Sequence, residues 1–464
     1  PNPRHLANCA IFLHGDRREV RAKTLIPYYD VFHESRYFDS AETLKPQYRE
    51  PISFDGKKIG LLICEDSWDE QQVNGKRAYA SHPTQALVAK GCEFLINISA
   101  SPYNRQKREA RHETIARAAK AAGVPIAYVN HFGGHDEITF DGDAFLFGPD
   151  GACLAAKDSA SPDILYWKEG SASKSRKLKD GELRDLKSML VTGIRDYARK
   201  NGFGKAVLGI SGGIDSAIVA ALAAEALGPS NVIGLAMPTK FSSSHSVEDA
   251  EALARNLNII YRHLPIKMPH ATFNMALQPF FAGLPEDATE ENVQARLRGV
   301  AVMAFANKYR ALALATGNKS EFAMGYSTLY GDMCGALSPI GDLYKTEVYE
   351  LTRYMNEERE LIPQRTITKP PSAELRPGQT DQDSLPPYDL LDAMLFQLVE
   401  RELEPGEARA ALLAKFPSLE LSLVEKIQRS LRINEYKRKQ AAPILRVSTR
   451  AFGTGRLYPL TCLY

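Results

Sequence analysis

The hexapeptide Ser211-Gly212-Gly213-Ile214-Asp215-Ser216 restricts what this chain can fold into more than any other feature. An apolar run, Ala206–Ile210, leads into it, and a helical run, Asp215–Leu227, leads out to a stop at Gly228. Two glycines at a strand-to-helix turn let the backbone approach a ligand closely and aim successive amides at it. The helix adds its positive N-terminal end, and Ser211 and Ser216 add hydroxyls. Such a turn suits a multiply charged anion such as pyrophosphate, bound at the carboxyl end of a strand in an open parallel sheet. No G-x-x-x-x-G-K-[ST] occurs, so it is not a Walker A loop. An ordinary Gly-rich turn would explain the serine and two glycines, but not the whole hexapeptide in this setting.

The surrounding pattern agrees. Val232–Met237, Ile259–Leu264 and Ala311–Ala315 read as strands. Between them fall a helix over Val247–Leu257, with Ser246 and Asp249 spaced as a capping box, and a long helix from near Thr289. This alternation predicts a doubly wound parallel sheet. Earlier in the chain, Ala10–Leu13, Ile59–Ile63, Phe94–Ile98, Ile126–Val129 and Ala144–Phe147 read as strands. Arg77–Lys90 and Gln106–Ala122 read as helices between them, which predicts a second α/β layer structure. The polar, basic stretch Glu169–Asp180 lacks apolar periodicity and reads as a linker. The expected domains are therefore 1–170 and 183–464, joined by 171–182. Pro370–Pro387 is Pro-rich and polar, a loop expected over a site.

Charge and cysteine usage narrow the class. Lys and Arg total 58 against 56 acidic residues, a net +2, which gives no support for a nucleic-acid or membrane surface. The basic stretch Lys174–Lys179 lacks interleaved aromatics. No apolar run approaches the ~18 residues of a membrane span. Six scattered cysteines without a C-x-x-C pair imply a reducing compartment, by default the cytoplasm, and mostly buried thiols. His131 and His135 are four apart, but Gly133 and Gly134 between them argue against a helical zinc site. Cys64 ends the apolar run Leu61–Ile63 and precedes Glu65 and Asp66. It is either a buried structural thiol or a nucleophile, and the latter requires a basic partner and a nearby cation.

Ser211–Ser216 resembles the loop of the ATP pyrophosphatases, which break ATP between its α and β phosphates. Thr316–Glu321, Gly325–Thr328, Tyr330–Asp332, Pro371–Leu375, Gln379–Asp381 and Asn434–Arg438 then follow in order. Together they resemble the NAD synthetase family from about Leu183 to Phe452. The resemblance implies an adenine nucleotide alpha hydrolase-like fold with ATP as co-substrate. Gly209, Ser211, Gly212, Gly213, Asp215, Ser216, Thr316 and Lys345 would bind the ATP. It implies Mg2+ on the carboxylates Asp215 and Glu321, which as hard oxygen ligands suit that ion. Asn292, Arg296, Glu321, Tyr326, Asp332 and Lys437 would hold deamido-NAD(+), although Arg296 also reads as a solvated helix charge.

Lys23–Tyr29, Val31–Phe38, Leu61–Asp66, Asn97–Tyr103 and Asn130–Gly134 resemble the nitrilase-type amidase domain fused to glutamine-dependent NAD synthetases. That implies an αββα sandwich and a Glu-Lys-Cys triad, with Cys64 as nucleophile and Lys23 stabilising the oxyanion. Tyr29, Ser101 and Lys107 would hold glutamine, and Glu34 would orient the site. Relatives are homo-oligomers acting on small molecules, with a protected route for ammonia. GMP and asparagine synthetases share the phosphate loop but pair it with another glutaminase. Two further alternatives are an ammonia-only synthetase with a vestigial amidase half and a non-catalytic NAD-like nucleotide-binding module. Two departures stand out. His33 occupies a position where relatives carry Asp, and the triad Glu lies upstream of Lys23 in a segment this chain does not contain. Glu19, the only Glu before Lys23, sits in a charged hairpin-like stretch and is not promoted to general base. Glutamate release from this sequence is expected to be small, and to rise when an upstream segment bearing that Glu is restored. Full release from the sequence as it stands would overturn this.

Overall fold

A computed structural model describes residues 6–69, 72–73, 76–157, 160–170, 182–453, 455–456 and 459–461. The chain divides into two compact units: Pro1–Gly133 with Thr139–Met189, and Gly134–Ile138 with Leu190–Tyr464. The expected linker 171–182 lies, but for Glu182, outside the described residues.

The first unit opens with an antiparallel ribbon of β1 (Cys9–His14) and β2 (Arg17–Ala22). Its main sheet holds β3 (Ile52–Phe54), β4 (Lys57–Ile63), β5 (Phe94–Ser99), β6 (Ile126–Asn130), β7 (Ala144–Phe147) and β8 (Cys153–Ala156). The strand order is β8-β7-β6-β5-β4-β3. β4, β5 and β6 run parallel in register, with Ile63 opposite Ile98 and Ile98 opposite Val129. Their inward residues Leu62, Leu95, Ile126 and Tyr128 form a core with Ile115 and Ala119 of α2 (Lys107–Ala122). α1 spans only Pro83–Ala89, whereas a helix from Arg77 was expected. Pro83 explains the late start. It sits at the first helical position, and a residue preceding proline is biased away from helical angles.

In the second unit β9 (Ala206–Gly209), β10 (Val232–Ala236), β11 (Ile260–His263) and β12 (Leu312–Ala313) form an all-parallel sheet ordered β11-β10-β9-β12. β10 is buried along its whole length, as a strand covered on both faces must be. α3 (Glu182–Lys200) precedes the sheet, and α4 (Ile214–Leu227) follows β9. Ile218, Val219, Ala220, Leu222 and Ala223 of α4 are all fully buried, so this helix is apolar all round and central. α5 (Ser244–Leu257) begins three residues before its expected start at Val247. Ser243 is its N-cap, accepting from the Ser246 amide at 3.2 Å, while Ser246 and Asp249 lie buried within the helix.

α6 (Lys267–Phe281) was not read from the sequence, where Pro265, Pro269 and Pro279 argue against a helix. Pro269 falls in the first turn, where its missing N–H costs nothing, and Pro279 falls in the last. α7 (Ala288–Tyr309), α8 (Lys319–Met324) and α9 (Lys345–Met355) complete the surroundings of the crevice. The thiols differ from expectation. Cys92 is buried, Cys9 is exposed, and Cys64, Cys153 and Cys334 are half-buried. Cys462 lies outside the described residues. Among the described residues no helix is long and apolar enough to cross a membrane.

Candidate functional site

From β9 the chain crosses to β10 and β11 on one side and later to β12 on the other, so the connections leaving β9 and β12 diverge. A crevice must open there, and both of its walls come from predicted residues. The hexapeptide forms the turn from β9 to α4. Gly212 has φ +80°, and a Cβ on it would run into the carbonyl of Ser246 on α5. Glycine is thus required for both conformation and space. The Ser211 amide donates to Ser216 Oγ at 3.2 Å, and the Gly213 amide to Ser211 Oγ at 3.2 Å. Ser216 Oγ donates to the Gly213 carbonyl at 3.1 Å.

The opposite wall follows β12. Asn318 caps α8 by accepting from the Glu321 amide at 3.0 Å, and its Nδ2 donates to Asp215 Oδ1 at 3.1 Å. Lys345, the first residue of α9 and only 2% exposed, is paired with Asp215 and stands 3.5 Å from Glu321. Burial works against the Lys345 charge, but Asp215 and then Glu321 more than offset it and raise its pKa. Burial, and then the charge of Asp215, push the Glu321 carboxyl up to about 8 while Lys345 pulls it back. Three predicted residues from three elements therefore meet in one electrostatic unit.

Two cavities flank it. One of about 210 Å³ is reached by Gly209, Ser211, Ser216 and Thr316, with Leu235, Met237, Val247 and Ala250 as apolar walls. An apolar slot beside a phosphate-type loop fits a planar base. The other, about 220 Å³, is lined by Asp215, Thr316, Glu321, Tyr326, Asp332 and Lys345 among others. The remaining predicted residues gather around the segment 325–332. Asn292 accepts from Thr328 Oγ1 at 2.6 Å, and Arg296 donates to the Leu329 carbonyl at 3.2 Å. Asp332 accepts from the Thr328 amide at 2.6 Å. Lys437 donates to the carbonyls of Gly325 at 2.7 Å and Ser327 at 2.9 Å.

Residues absent from the sequence reading of this site also reach it. Glu374, in the expected loop 370–387, accepts from Ser243 Oγ at 2.9 Å and Ser246 Oγ at 2.7 Å. Asp381 accepts from Tyr388 at 2.8 Å and lines the second cavity. Arg298 lines the first and donates to the Met237 carbonyl at 3.3 Å. Glu374 and Asp381 lie in the segments Pro371–Leu375 and Gln379–Asp381 that carried the family resemblance, but neither was given a role in the site.

In the first unit Cys64 opens a short 3-10 turn at the end of β4, with φ +48°. A non-glycine residue holds that conformation only where its surroundings over-determine it. Asn97 Nδ2 donates to the Cys64 carbonyl at 3.1 Å. Burial pushes the thiol pKa up, while the charge of Lys23 and hydrogen bonds from the Ala100 backbone and Ser99 pull it down. Lys23 is 1% exposed and pairs with Glu34 at 2.7 Å. Glu65, not singled out from the sequence, is buried and accepts from Tyr29 at 2.7 Å and Tyr79 at 2.9 Å. Ser101 is fixed by Asn130, which accepts from its amide at 2.8 Å and donates to its carbonyl at 3.0 Å. Lys107 begins α2 and lies 4.4 Å over the Trp68 ring. Glu19 is bound to Arg17 and Arg21 on β2 and contributes nothing to this cluster.

Comparison with known proteins shows which family the chain belongs to. A carbon-nitrogen hydrolase family model matches residues 3–168, and an NAD synthase family model matches residues 186–441. A glutamine-dependent NAD(+) synthetase of Synechocystis is 44% identical over 98% of this chain and 81% of its own length. This chain belongs to the glutamine-dependent NAD(+) synthetase family. The solved structure of such a synthetase from Acinetobacter baumannii, in complex with ADP, is 33% identical with a TM-score of 0.68. The match covers 97% of this chain and 83% of that one. A synthetase from Cytophaga hutchinsonii, 19% identical with a TM-score of 0.78 over 98% and 82%, shares the fold. The nitrilase-like and NAD synthetase halves expected from the sequence are both present, and the chain is a carbon–nitrogen ligase of this family.

Gly212→Ala places a Cβ against the Ser246 carbonyl and strains the turn by about 1–3 kcal/mol. ATP titrated calorimetrically into this variant should bind at least ~10-fold more weakly, since an oriented anion site is lost. Unchanged affinity would show that the loop does not hold the nucleotide.

Proposed function

We propose that the crevice of the second unit converts deamido-NAD(+) to NAD(+) through an adenylate, using ammonia released from glutamine in the first. The observation that carries this reading is Lys345 buried between Asp215 and Glu321 at the foot of the phosphate-type loop. The loop amides and Ser211, Ser216 and Thr316 take the phosphates of ATP, and the apolar slot takes its base. The nicotinate carboxylate attacks the α-phosphorus, the bond to the β-phosphate breaks, and pyrophosphate departs. Lys345 neutralises charge gathering on the leaving group. Ammonia then adds to the activated carbonyl and AMP leaves. Asn292, Arg296, Tyr326, Asp332 and Lys437 position the dinucleotide by fixing the 325–332 segment.

Asp215 and Glu321 are also the residues that would hold Mg2+. Among the described residues no group of three or more His, Cys, Asp or Glu is placed to bind a metal. Two carboxylates leave the rest of an oxygen shell to phosphate and water, the way Mg2+ is commonly held beside nucleotides. When bound, the ion neutralises phosphate charge and orients the chain for cleavage. The elevation of Glu321 by burial and then by the charge of Asp215 supports the fit, because a divalent cation relieves that repulsion.

In the first unit the Cys64 thiol gives up its proton and adds to the glutamine carboxamide while Lys23 stabilises the oxyanion. That proton passes to the leaving nitrogen, which departs as ammonia. Water hydrolyses the resulting γ-glutamyl thioester to glutamate and the free thiol. Tyr29, Ser101 and Lys107 bind the amino acid, and Glu34 orients Lys23. The small soluble substrates and the free thiols favour work in the cytoplasm.

AMP and NAD(+) formation from ATP, Mg2+ and deamido-NAD(+) should proceed with ammonium and vanish in Asp215→Ala. Any glutamine-driven synthesis should disappear in Cys64→Ala while ammonium-driven synthesis persists. Nucleotide binding without AMP formation would replace this reading with a binding module.

Exposed apolar residues on α6 and α7 support a homo-oligomer. Met268, Met275 and Phe280 on α6 and Val300 on α7 are 73%, 72%, 79% and 67% exposed. So much exposed apolar surface on neighbouring helices marks an interface, and a second copy is the partner the family implies. Met275→Glu with Phe280→Glu should lower the sedimenting mass. An unchanged mass would place the interface elsewhere.

A further inference from the structure

We propose that Asp66 is a positioning residue of the glutaminase half, whose carboxylate sets where Lys23 stands relative to the Cys64 thiol. The proposal rests on the reading of Cys64 and Lys23 given above. Lys23 follows β2, and Cys64 follows β4. β1 and β2 form a ribbon of their own, while β4 belongs to the six-stranded sheet. Among the described residues no strand ladder sets the register of one segment against the other.

Asp66 spans them. One carboxylate oxygen accepts from the amides of Thr24 at 2.9 Å and Leu25 at 2.8 Å, the two residues after Lys23. The other accepts from the amide of Ile63 at 3.0 Å, the residue before Cys64. One rigid planar group therefore receives donors from both segments, and hydrogen bonds to an ionised acceptor are the stronger kind. Asp66 is 2% exposed and Leu25 3%, so water does not compete. The other backbone ties of Lys23 run to Asn8, whose carbonyl accepts at 2.8 Å, and Ala41, whose amide donates at 2.9 Å. Its side chain runs to Glu34. None of those three reaches the Cys64 turn. A lysine stem is flexible, so the place of its ammonium depends on the backbone that carries it.

The sign of one measurement separates positioning from simple charge. A carboxylate two residues from the thiol disfavours thiolate, so loss of its charge alone would lower the Cys64 pKa. Loss of the Lys23 placement would raise it instead. The other groups that bear on Cys64 are Glu65 beside it, Tyr29, Tyr128 on β6 and Lys107 on α2, and Asp66→Asn leaves all four in place. In that variant the amide must turn its NH2 toward either the Thr24 and Leu25 amides or the Ile63 amide. One side of the link is lost whichever way it faces.

The test is iodoacetamide alkylation of Cys64 in the full chain, resolved by mass spectrometry and followed across the titration range of the thiol. Asp66→Asn should react about tenfold more slowly at neutral pH, with its midpoint moved up by about one pH unit. Lys23→Met should reproduce the shift, and the double variant should add nothing to it. Hydrogen exchange should quicken at Thr24, Leu25 and Ile63 alone. A midpoint that stays or falls in Asp66→Asn, while Lys23→Met raises it, overturns the positioning role and leaves the Cys64–Lys23 reading intact. No shift in Lys23→Met sinks that reading, and this inference with it. Exchange that quickens throughout β4, β5 and β6 overturns it as well, by making Asp66 a general stability element.

Discussion

Parallel strands cannot be joined by tight turns, and that constraint shapes the second unit. Each strand must be followed by a crossover helix, and the helix must find a face of the sheet to cover. Because the chain lays β10 and β11 on one side of β9 and β12 on the other, two loops part company at the carboxyl ends of β9 and β12. The phosphate-type loop and the Thr316–Asn318 segment are those two loops. Asp215, at the start of α4, and Glu321, in α8, can therefore approach one buried lysine although 106 positions separate them in the sequence. The buried Ala-rich helix α4 serves the same end. Its small side chains let it lie close to the sheet and aim its N-terminus into the gap.

The first unit solves a different problem, that of holding a nucleophile at the end of a strand in an unfavourable backbone conformation. Cys64 has a positive φ, and the residues around it are tied on both sides. Asn97 holds its carbonyl, and Asp66 holds the amide before it. Glu65 carries two phenols from distant segments. Buried acids are costly unless hydrogen-bonded, and here each is bonded to groups that have to be kept in place.

Much of this was legible in the sequence because the signals were local. The strands ending at Ile63, Ser99 and Gly209 showed as apolar runs within a residue or so of their observed ends. Gly212 marked a turn that only glycine tolerates. What stayed hidden was either masked by local rules or created by distant contact. Pro269 and Pro279 disguised α6: Pro269 sits in the first turn, where proline does little harm, while Pro279 lies inside the helix close to its C-terminal end and forgoes one backbone bond there. Pro83 delayed α1 by its own geometry. Glu65 looked like one more acid after a cysteine until Tyr29 and Tyr79, 36 and 14 positions away, donated to it. Asp66 was equally mute, because its partners lie 42 and 41 positions upstream. The family resemblance located Lys345 as a cation for phosphate, but its burial against two carboxylates is a fact of three dimensions.

Glu374 has a consequence for how the crevice tells one anion from another. The N-termini of α4 and α5 both open near the phosphate-type loop, and both present positive ends. The carboxylate of Glu374 already sits on Ser243 and Ser246 at the head of α5. The protein thus acts as its own competing anion at one of the two. The head of α5 is thus already answered by a carboxylate of the chain itself, whereas the head of α4 carries no such internal anion among the described hydrogen bonds, so the two poles are unequal before any ligand arrives.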